Sequence, residues 1–422
     1  MKPMRLSQVP GWRGPTLGIC LLAWLSSALP LPAADTTAAN ARTANGVLPS
    51  DPEAALRLGL LLYRQDPLSL PAQRLLNVAS RRFPQRHDVH LALLDSYLAR
   101  KNAAAATALL TRLQGEVDSS ARFAFDVIYC LLQRGQLPLA QAQWHKLDER
   151  LQSSAATPTT PGLSAAQKRD AAEAAFLHGL IATAAGHKEE ALELLRRADK
   201  QDFPAMDSPQ MLMLADCFFL LEEYKLAAAT YKEALTHFPE NAPARWRYGL
   251  SLYSTSQLNE AVAEFEKLLR RHPRQREVNY YMGAALFSLK LHDRARVCFE
   301  RELALDPRCD QCMTKLGRLA YLAGDDQQAT SWLDKAVALN APSPETNLAY
   351  GMIANRAGKY QAAIQYLSRV VEQSPQDAQA HFQLAIAYQR SGDAPKAQEH
   401  LSRSRQLDAA EPALPPSDAA GK

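Results

Sequence analysis

Aromatic residues make up only 7% of this 422-residue chain. Valine and isoleucine are sparse, and alanine is abundant. A shortage of β-branched and aromatic side chains disfavours sheet and favours helix. The motifs of several common chemistries are missing as well. There is no glycine-rich phosphate loop, no His-Glu-x-x-His pair and no Gly-x-Ser-x-Gly elbow, so nucleotide, metalloprotease and hydrolase sites of those kinds lack their residues. No Asn-x-Ser/Thr sequon occurs after residue 34, which leaves that glycosylation without an acceptor. The first 34 residues hold no acid.

That acid-free segment carries Lys2, Arg5 and Arg13, then a 13-residue apolar run from Leu17 to Leu29 that stops at Pro30. A spanning helix needs roughly 20 apolar residues. The run is therefore expected to be the core of an export signal over residues 1–34, cleaved near Ala28 to Ala34, with an uncleaved anchor as the alternative. Cys20 is a poor lipidation site, because Ile19 stands where a small residue is needed. Removing the segment takes 48 basic residues to 45 against 44 acidic ones, a balance of +1. That balance gives no overall field to attract nucleic acid or an anionic membrane. Hydrophobic content of 47% with 22% charge suits a folded chain, and its length suits two or three domains or one long repeat array.

A repeat is present. Alanines recur 34 residues apart at Ala227, Ala261, Ala295, Ala329, Ala363 and Ala397, and upstream at Ala72, Ala106 and Ala140, with Ala191 between the two series. Four residues after each stands a large apolar side chain, Leu76, Leu110, Trp144, Leu195, Tyr231, Phe265, Phe299, Leu333, Leu367 and Leu401. Glycines recur at Gly249, Gly283, Gly317 and Gly351, and prolines at Pro239, Pro273, Pro307 and Pro375. The step from Ala140 to Ala191 is 51, and its surplus falls in the Pro/Thr/Ser-rich stretch 155–171, expected to be a loop or linker. A smaller insertion falls near "FPAMDSP".

This pattern resembles the tetratricopeptide repeat. Units start near Glu53, His87, Ala121, Ala172, Ser208, Ala242, Arg276, Asp310, Pro344 and Ala378. The resemblance implies an all-α, right-handed superhelical solenoid of about ten antiparallel helix pairs. Small eighth and twentieth residues would let the two helices of a unit approach, and neighbouring units would bury one another's faces. The expected division is a flexible segment 35–52, N-terminal units 53–154, the linker, a C-terminal array 172–409 and a disordered tail 410–422. In the first three units the eighth position is large, at Leu60, Leu94 and Ile128.

In that family the first helix of each unit lines a concave groove. Carried onto this chain, the groove positions include Phe176, Leu212, Phe219, Trp246, Tyr253, Tyr280, Phe287, Arg318, Tyr321, Arg356, Phe382 and Arg390, together with Asn355 and Gln389. The functional reading is a peptide groove with aromatic contacts and arginines for carboxylates. The alternative is that the rings pack between neighbouring first helices and the arginines form a solvated face. His87, His90 and Asp95 share one first helix but lack a third well-placed ligand, and a solvated helix start is expected there.

Five cysteines follow the leader. Cys130 and Cys217 occupy the tenth position of their units and are expected to be buried apolar groups; Cys298 is also present. Cys309 and Cys312 form a Cys-x-x-Cys. Haem attachment is excluded because Met313, not histidine, follows. Zinc would need two more ligands, which leaves a disulfide or two plain thiols. The expectation is an exported scaffold, in the bacterial periplasm or secreted, that binds a protein or peptide segment rather than catalysing a reaction. It would serve cell-envelope complex assembly without cofactor, metal, nucleic acid or small-molecule substrate, with membrane contact only through a retained signal segment. The alternative is a thiol-disulfide or redox-sensing protein using Cys309 and Cys312.

Overall fold

The computed structural model describes residues 51–155, 165–199 and 209–410. The expected signal segment, the segment up to residue 50, the "FPAMDSP" insertion up to Ser208 and the tail beyond Ala410 lie outside the described residues. Among the described residues there are 21 α-helices and no strand. None of these helices is long and apolar enough to cross a membrane.

The chain divides into two compact units, one ending at Thr255 and one beginning at Ser256. The first holds α1 (Pro52–Gln65), α2 (Leu70–Arg82), α3 (His87–Ala99), α4 (Ala103–Arg112), the short α5 (Gln114–Ser119) and α6 (Ala121–Gln133). It continues through α7 (Leu137–Ala155), α8 (Ala165–Ala185), α9 (Lys188–Asp199), α10 (Pro209–Leu220), α11 (Tyr224–His237) and α12 (Ala242–Ser254). The second holds α13 (Leu258–Arg271), α14 (Val278–Ser288), α15 (His292–Leu305), α16 (Asp310–Leu322) and α17 (Asp326–Leu339). It ends with α18 (Pro344–Arg356), α19 (Tyr360–Gln373), α20 (Ala378–Ser391) and α21 (Ala394–Ala410).

Helix starts follow local chemistry. Asp51, Ser69, Asn102, Ser120, Asn241, Asp325, Ser343 and Asp377 each cap a helix, their side-chain oxygens accepting from backbone N–H groups of the first turn. Prolines occupy the first turn of α1, α2, α12 and α18, where no intrahelical N–H is lost. After the first repeat, each turn from a first helix to its second contains one left-handed residue: Lys101, Gly135, Gly186, Glu222, Ser256, Lys290, Gly324, Gly358 or Gly392. All nine fall at the fifteenth position of the sequence register, where glycine carries no steric cost and a residue with a Cβ does.

Within each unit, first and second helices pair as hairpins, and most second helices also meet the next first helix. In the first unit, first helices follow one another as α1, α3, α6, α8, α10 and α12; in the second, α16, α18 and α20 do the same. The alanine ladder is the seam. Nine of its ten members are fully buried and Ala397 is 4% exposed. Of the large residues four places on, all but Leu401 are buried, Trp144 the least of them. Full burial of such side chains contributes roughly 1.5–3 kcal/mol each.

Three expectations are corrected. The 155–171 linker is not loop throughout: α7 runs to Ala155 and α8 starts at Ala165, because Ala-rich sequence on both sides carries the helices into it. Residues 156–164 lie outside the described residues. Compactness divides the chain at 255/256 rather than at that stretch. Finally, the first unit's helix crossing falls on Gly59, not Leu60. A Cβ added at Gly59 would lie 3.0 Å from Leu75 Cβ and 3.3 Å from the Leu76 amide nitrogen. The first helix is therefore offset by one residue against the alanine ladder, and starts at Pro52 behind its Asp51 cap.

Candidate functional site

The structure sorts the twelve groove candidates by burial. Phe176, Leu212, Phe219 and Tyr280 are buried and are packing residues. Phe176 lies 6.2 Å from the Tyr129 ring of the preceding first helix. Phe219 meets Tyr224 and Tyr231 edge-on within its own hairpin. Tyr280 sits 6.0 Å from Phe299. These four leave the groove reading because stacked first helices bury large side chains at those positions. Trp246 and Tyr253 are half-buried on α12.

The remaining six lie on first helices of the second unit. Phe287, at the end of α14, is half-buried beneath two cations from α16: Arg318 at 5.0 Å and Lys315 at 5.6 Å from the ring centroid. Both cations also pair with Glu345 of α18, Lys315 at 2.7 Å. Burial alone would push the Glu345 carboxyl up, but Lys315 and Arg318 outweigh it and hold it at about 2. One repeat further on, Arg356 lies 3.6 Å over the ring of Tyr321, donates to the Tyr321 carbonyl at 2.8 Å and pairs with Asp326. Asn355 donates to the Gln383 carbonyl at 2.9 Å, tying α18 to α20. Phe382 and Arg390, on α20, are exposed, as is Leu322 at the end of α16.

The expected basic end is therefore not a row of solvated arginines. Arg318 and Arg356 are each fixed between an aromatic face and a carboxylate, a geometry that suits the planar guanidinium. Sequence reasoning missed Lys315, Glu345, Asp326 and Leu322. Glu345 could have been found as the acid following a Ser-Pro helix start, but its partners lie 27 and 30 residues away.

Burial falls sharply at the last repeat. At the fifth position of successive first helices, Tyr280, Thr314 and Leu348 are buried, whereas Phe382 is 45% exposed. Within this unit a concavity of about 590 Å³ lies against α13 and α15, floored by Met282 and Leu286 of α14 and bordered by Cys298.

The histidine cluster is not a solvated helix start. His90 is buried, with ring nitrogens 3.0 Å from the Ser80 hydroxyl and 2.8 Å from the Pro84 carbonyl, and burial lowers its pKa. His87 stacks on Phe123. Asp95 is buried between the Tyr63 hydroxyl and a bidentate Arg134. Among the described residues no group of three His, Cys, Asp or Glu is arranged to hold a metal.

Cys130, Cys217 and Cys298 are buried free thiols, and burial pushes each thiol up, Cys298 to about 11. Cys309 and Cys312 are joined by a disulfide. Cys309 is half-buried at the N-cap of α16, where its sulfur accepts the Cys312 N–H at 3.2 Å; Cys312 is fully buried.

Models of the tetratricopeptide repeat match residues 218–285, 291–344 and 354–414. No curated protein matches the chain. Solved structures similar to parts of it include PilF of Pseudomonas aeruginosa, 22% identical, covering 50% of this chain and 96% of that one with a TM-score of 0.39. YrrB, described as a TPR protein with an unusual peptide-binding site, is 22% identical and covers 44% of this chain and 95% of its own, with a TM-score of 0.33. MamA of Desulfovibrio magneticus is 20% identical, covering 41% and 97% with a TM-score of 0.34.

Proposed function

The chain is a tetratricopeptide-repeat protein, and we propose that it is an exported scaffold holding a segment of another protein on the first-helix face of its second unit. Its place would be the cell envelope, where it serves the assembly of a protein complex by binding rather than by catalysis. The observation that carries the reading is the state of that face. Phe287 and Tyr321 present half-exposed rings held by Lys315, Arg318 and Arg356, followed by exposed Phe382 and Arg390. Rigid aromatic surface beside oriented guanidinium groups gives contact area at low ordering cost and hydrogen-bond donors for carboxylates or carbonyls. Export is supported by the basic, acid-free leader and its short apolar core.

Affinity capture with the mature chain tests the reading. Phe382→Ala with Arg390→Ala is expected to remove a specific partner that wild type retains, while the melting temperature stays within about 2 °C, since both side chains are exposed. Glu300→Ala, on α15, is expected to change neither. Equal capture by all three chains would contradict the proposal. Mature protein recovered from cells is expected to begin between residues 29 and 35.

A further inference from the structure

The Cys309–Cys312 disulfide is placed unlike the other cysteines. Cys130, Cys217 and Cys298 are single, buried thiols that burial keeps protonated. The bonded pair instead straddles the boundary between two repeats, with its sulfurs unequally covered. Cys309 is half-buried on the turn side and Cys312 is fully buried on the helix side. Cys309 is the N-cap of a 13-residue helix, and the Cys312 N–H already points at its sulfur from 3.2 Å. An anion on the Cys309 sulfur would therefore receive a backbone hydrogen bond and the positive end of the helix dipole. The charges around it balance: Asp306 is engaged by Arg276 and by the Arg308 N–H, and Arg308 and Asp310 flank the cysteine with opposite signs. Further along α16, Lys315 is committed to Glu345.

We propose that Cys309 and Cys312 form a thiol–disulfide exchange site whose substrate class is a dithiol in a client protein, with Cys309 as the sulfur that meets the client. A client thiolate attacks Cys309, the Cys309–Cys312 bond breaks, and its electron pair leaves on Cys312, which takes up a proton. The client's second thiolate then attacks the client sulfur of the mixed disulfide and releases Cys309, stabilised by the Cys312 N–H. The client dithiol is oxidised to a disulfide, and two electrons reside on the reduced pair, with one proton on Cys312 and Cys309 left as a thiolate. A low-molecular-weight disulfide, such as glutathione disulfide, reverses the change. Cys309 attacks it, and Cys312 displaces the second glutathione as the bond between the two cysteines re-forms. This site is independent of the aromatic face proposed to bind a partner.

The test uses the full chain, reduced and then exposed to glutathione disulfide at pH 6.5, with each cysteine followed by mass spectrometry. Folding is expected to accelerate glutathionylation of Cys309 about tenfold over the same chain in urea, because the folded helix raises its thiolate fraction. Cys130, Cys217 and Cys298 are expected to stay unmodified in the folded chain. The Cys309 adduct should be short-lived in wild type and persist in Cys312→Ala. A Cys309 that reacts no faster folded than unfolded, or whose wild-type adduct persists as long as in Cys312→Ala, would overturn the proposal. The first comparison needs no substitution, so a misfolded variant cannot mask the result.

Discussion

In the unit ending at Thr255, neighbouring repeats are joined by carboxylates that are buried (Asp95, Glu173) or mostly covered (Asp216). Asp95 accepts the Tyr63 hydroxyl at 2.7 Å and both arms of Arg134 at 2.6 Å. Asp216 is bound by Tyr231 and by Arg247, and Glu173 by Arg122 and Gln210. In the unit beginning at Ser256, hairpins close on glycine, and neighbouring repeats are joined by cations over rings, with Lys315 buried and Arg318 and Arg356 partly exposed. A Cβ added at Gly283 would lie 2.8 Å from the Phe299 ring, and one at Gly351 2.5 Å from Leu367 Cγ. Glycine closes hairpins in the first unit too, at Gly59 and Gly179, so the difference lies in the joints between repeats: carboxylates kept from water in one unit and rings under cations in the other. Carboxylates buried with their hydrogen-bond partners fix a neighbour in place, but they leave little side chain exposed for another molecule.

The largest expected effects reverse roles at the crossing position. Leu94 is 1% exposed where the second unit has glycine. Leu94→Ala is expected to cost the first unit about 3 kcal/mol through the cavity it leaves. Gly351→Val is expected to cost the second unit about 2–3 kcal/mol by overpacking against Leu367. Denaturant unfolding read by hydrogen exchange in each unit checks both. If Gly351→Val is neutral, close approach is not what stabilises the second unit.

Next come the charges. Asp95→Ala is expected to cost about 3 kcal/mol, because Arg134 and the buried Tyr63 hydroxyl lose their partner. Glu345→Ala is expected to cost less, about 1–2 kcal/mol: Lys315 and Arg318 lose their partner, but the Glu345 side chain is 30% exposed and its ion pairs are partly screened. Equal losses would erase the distinction between the units.

The pH responses should oppose one another. Burial pushes the Asp126 carboxyl up to about 7, against the pull of Arg122 and with the help of Glu173. The folded chain then holds a proton that the unfolded chain releases at ordinary carboxylate pH. This group's contribution is complete below about 3.8 and fades as pH rises through 7. Glu345, held at about 2, contributes above 4.5 and loses that contribution as pH falls. Asp126→Asn should be more stable than wild type at pH 8 and equal to it near pH 4. Glu345→Gln should be less stable at pH 6, with the difference closing toward pH 2. Urea titrations across pH, with each variant beside wild type, check the signs.

The smallest effect concerns the turns. Lys290 holds φ at 62° where Gly324 and Gly358 serve the following repeats. Lys290→Gly is expected to stabilise the second unit by about 1 kcal/mol. A loss of stability would mean that the lysine side chain does more there than tolerate strain.

Much of the fold was legible because a repeat writes its constraints many times. The alanine ladder, the large residue four places on and the glycines at Gly283, Gly317 and Gly351 all appear where the seam requires them. The left-handed turn falls on Gly135, Gly186, Gly324, Gly358 and Gly392, but four other residues, Lys101, Glu222, Ser256 and Lys290, occupy it elsewhere, so composition alone does not announce it. The carboxylate staples were illegible because Asp95 meets Tyr63 and Arg134 32 and 39 residues away, and no local period announces such a pairing. The groove candidates were legible as positions but not as exposures. Phe176 and Phe382 share one register position, yet one is buried by its neighbours and the other is open. Register says where a side chain points within its repeat, whereas coverage depends on what stacks next to it.

A photo-crosslinking residue placed in turn at Leu322, Phe382 and Glu300 tests the proposed binding face most directly, in cells making the chain at native level. Discrete adducts with one and the same protein are expected from positions 322 and 382, and none from position 300 on α15. No adduct from the first two positions, or the same adduct from all three, would contradict a binding face on the first helices of the second unit.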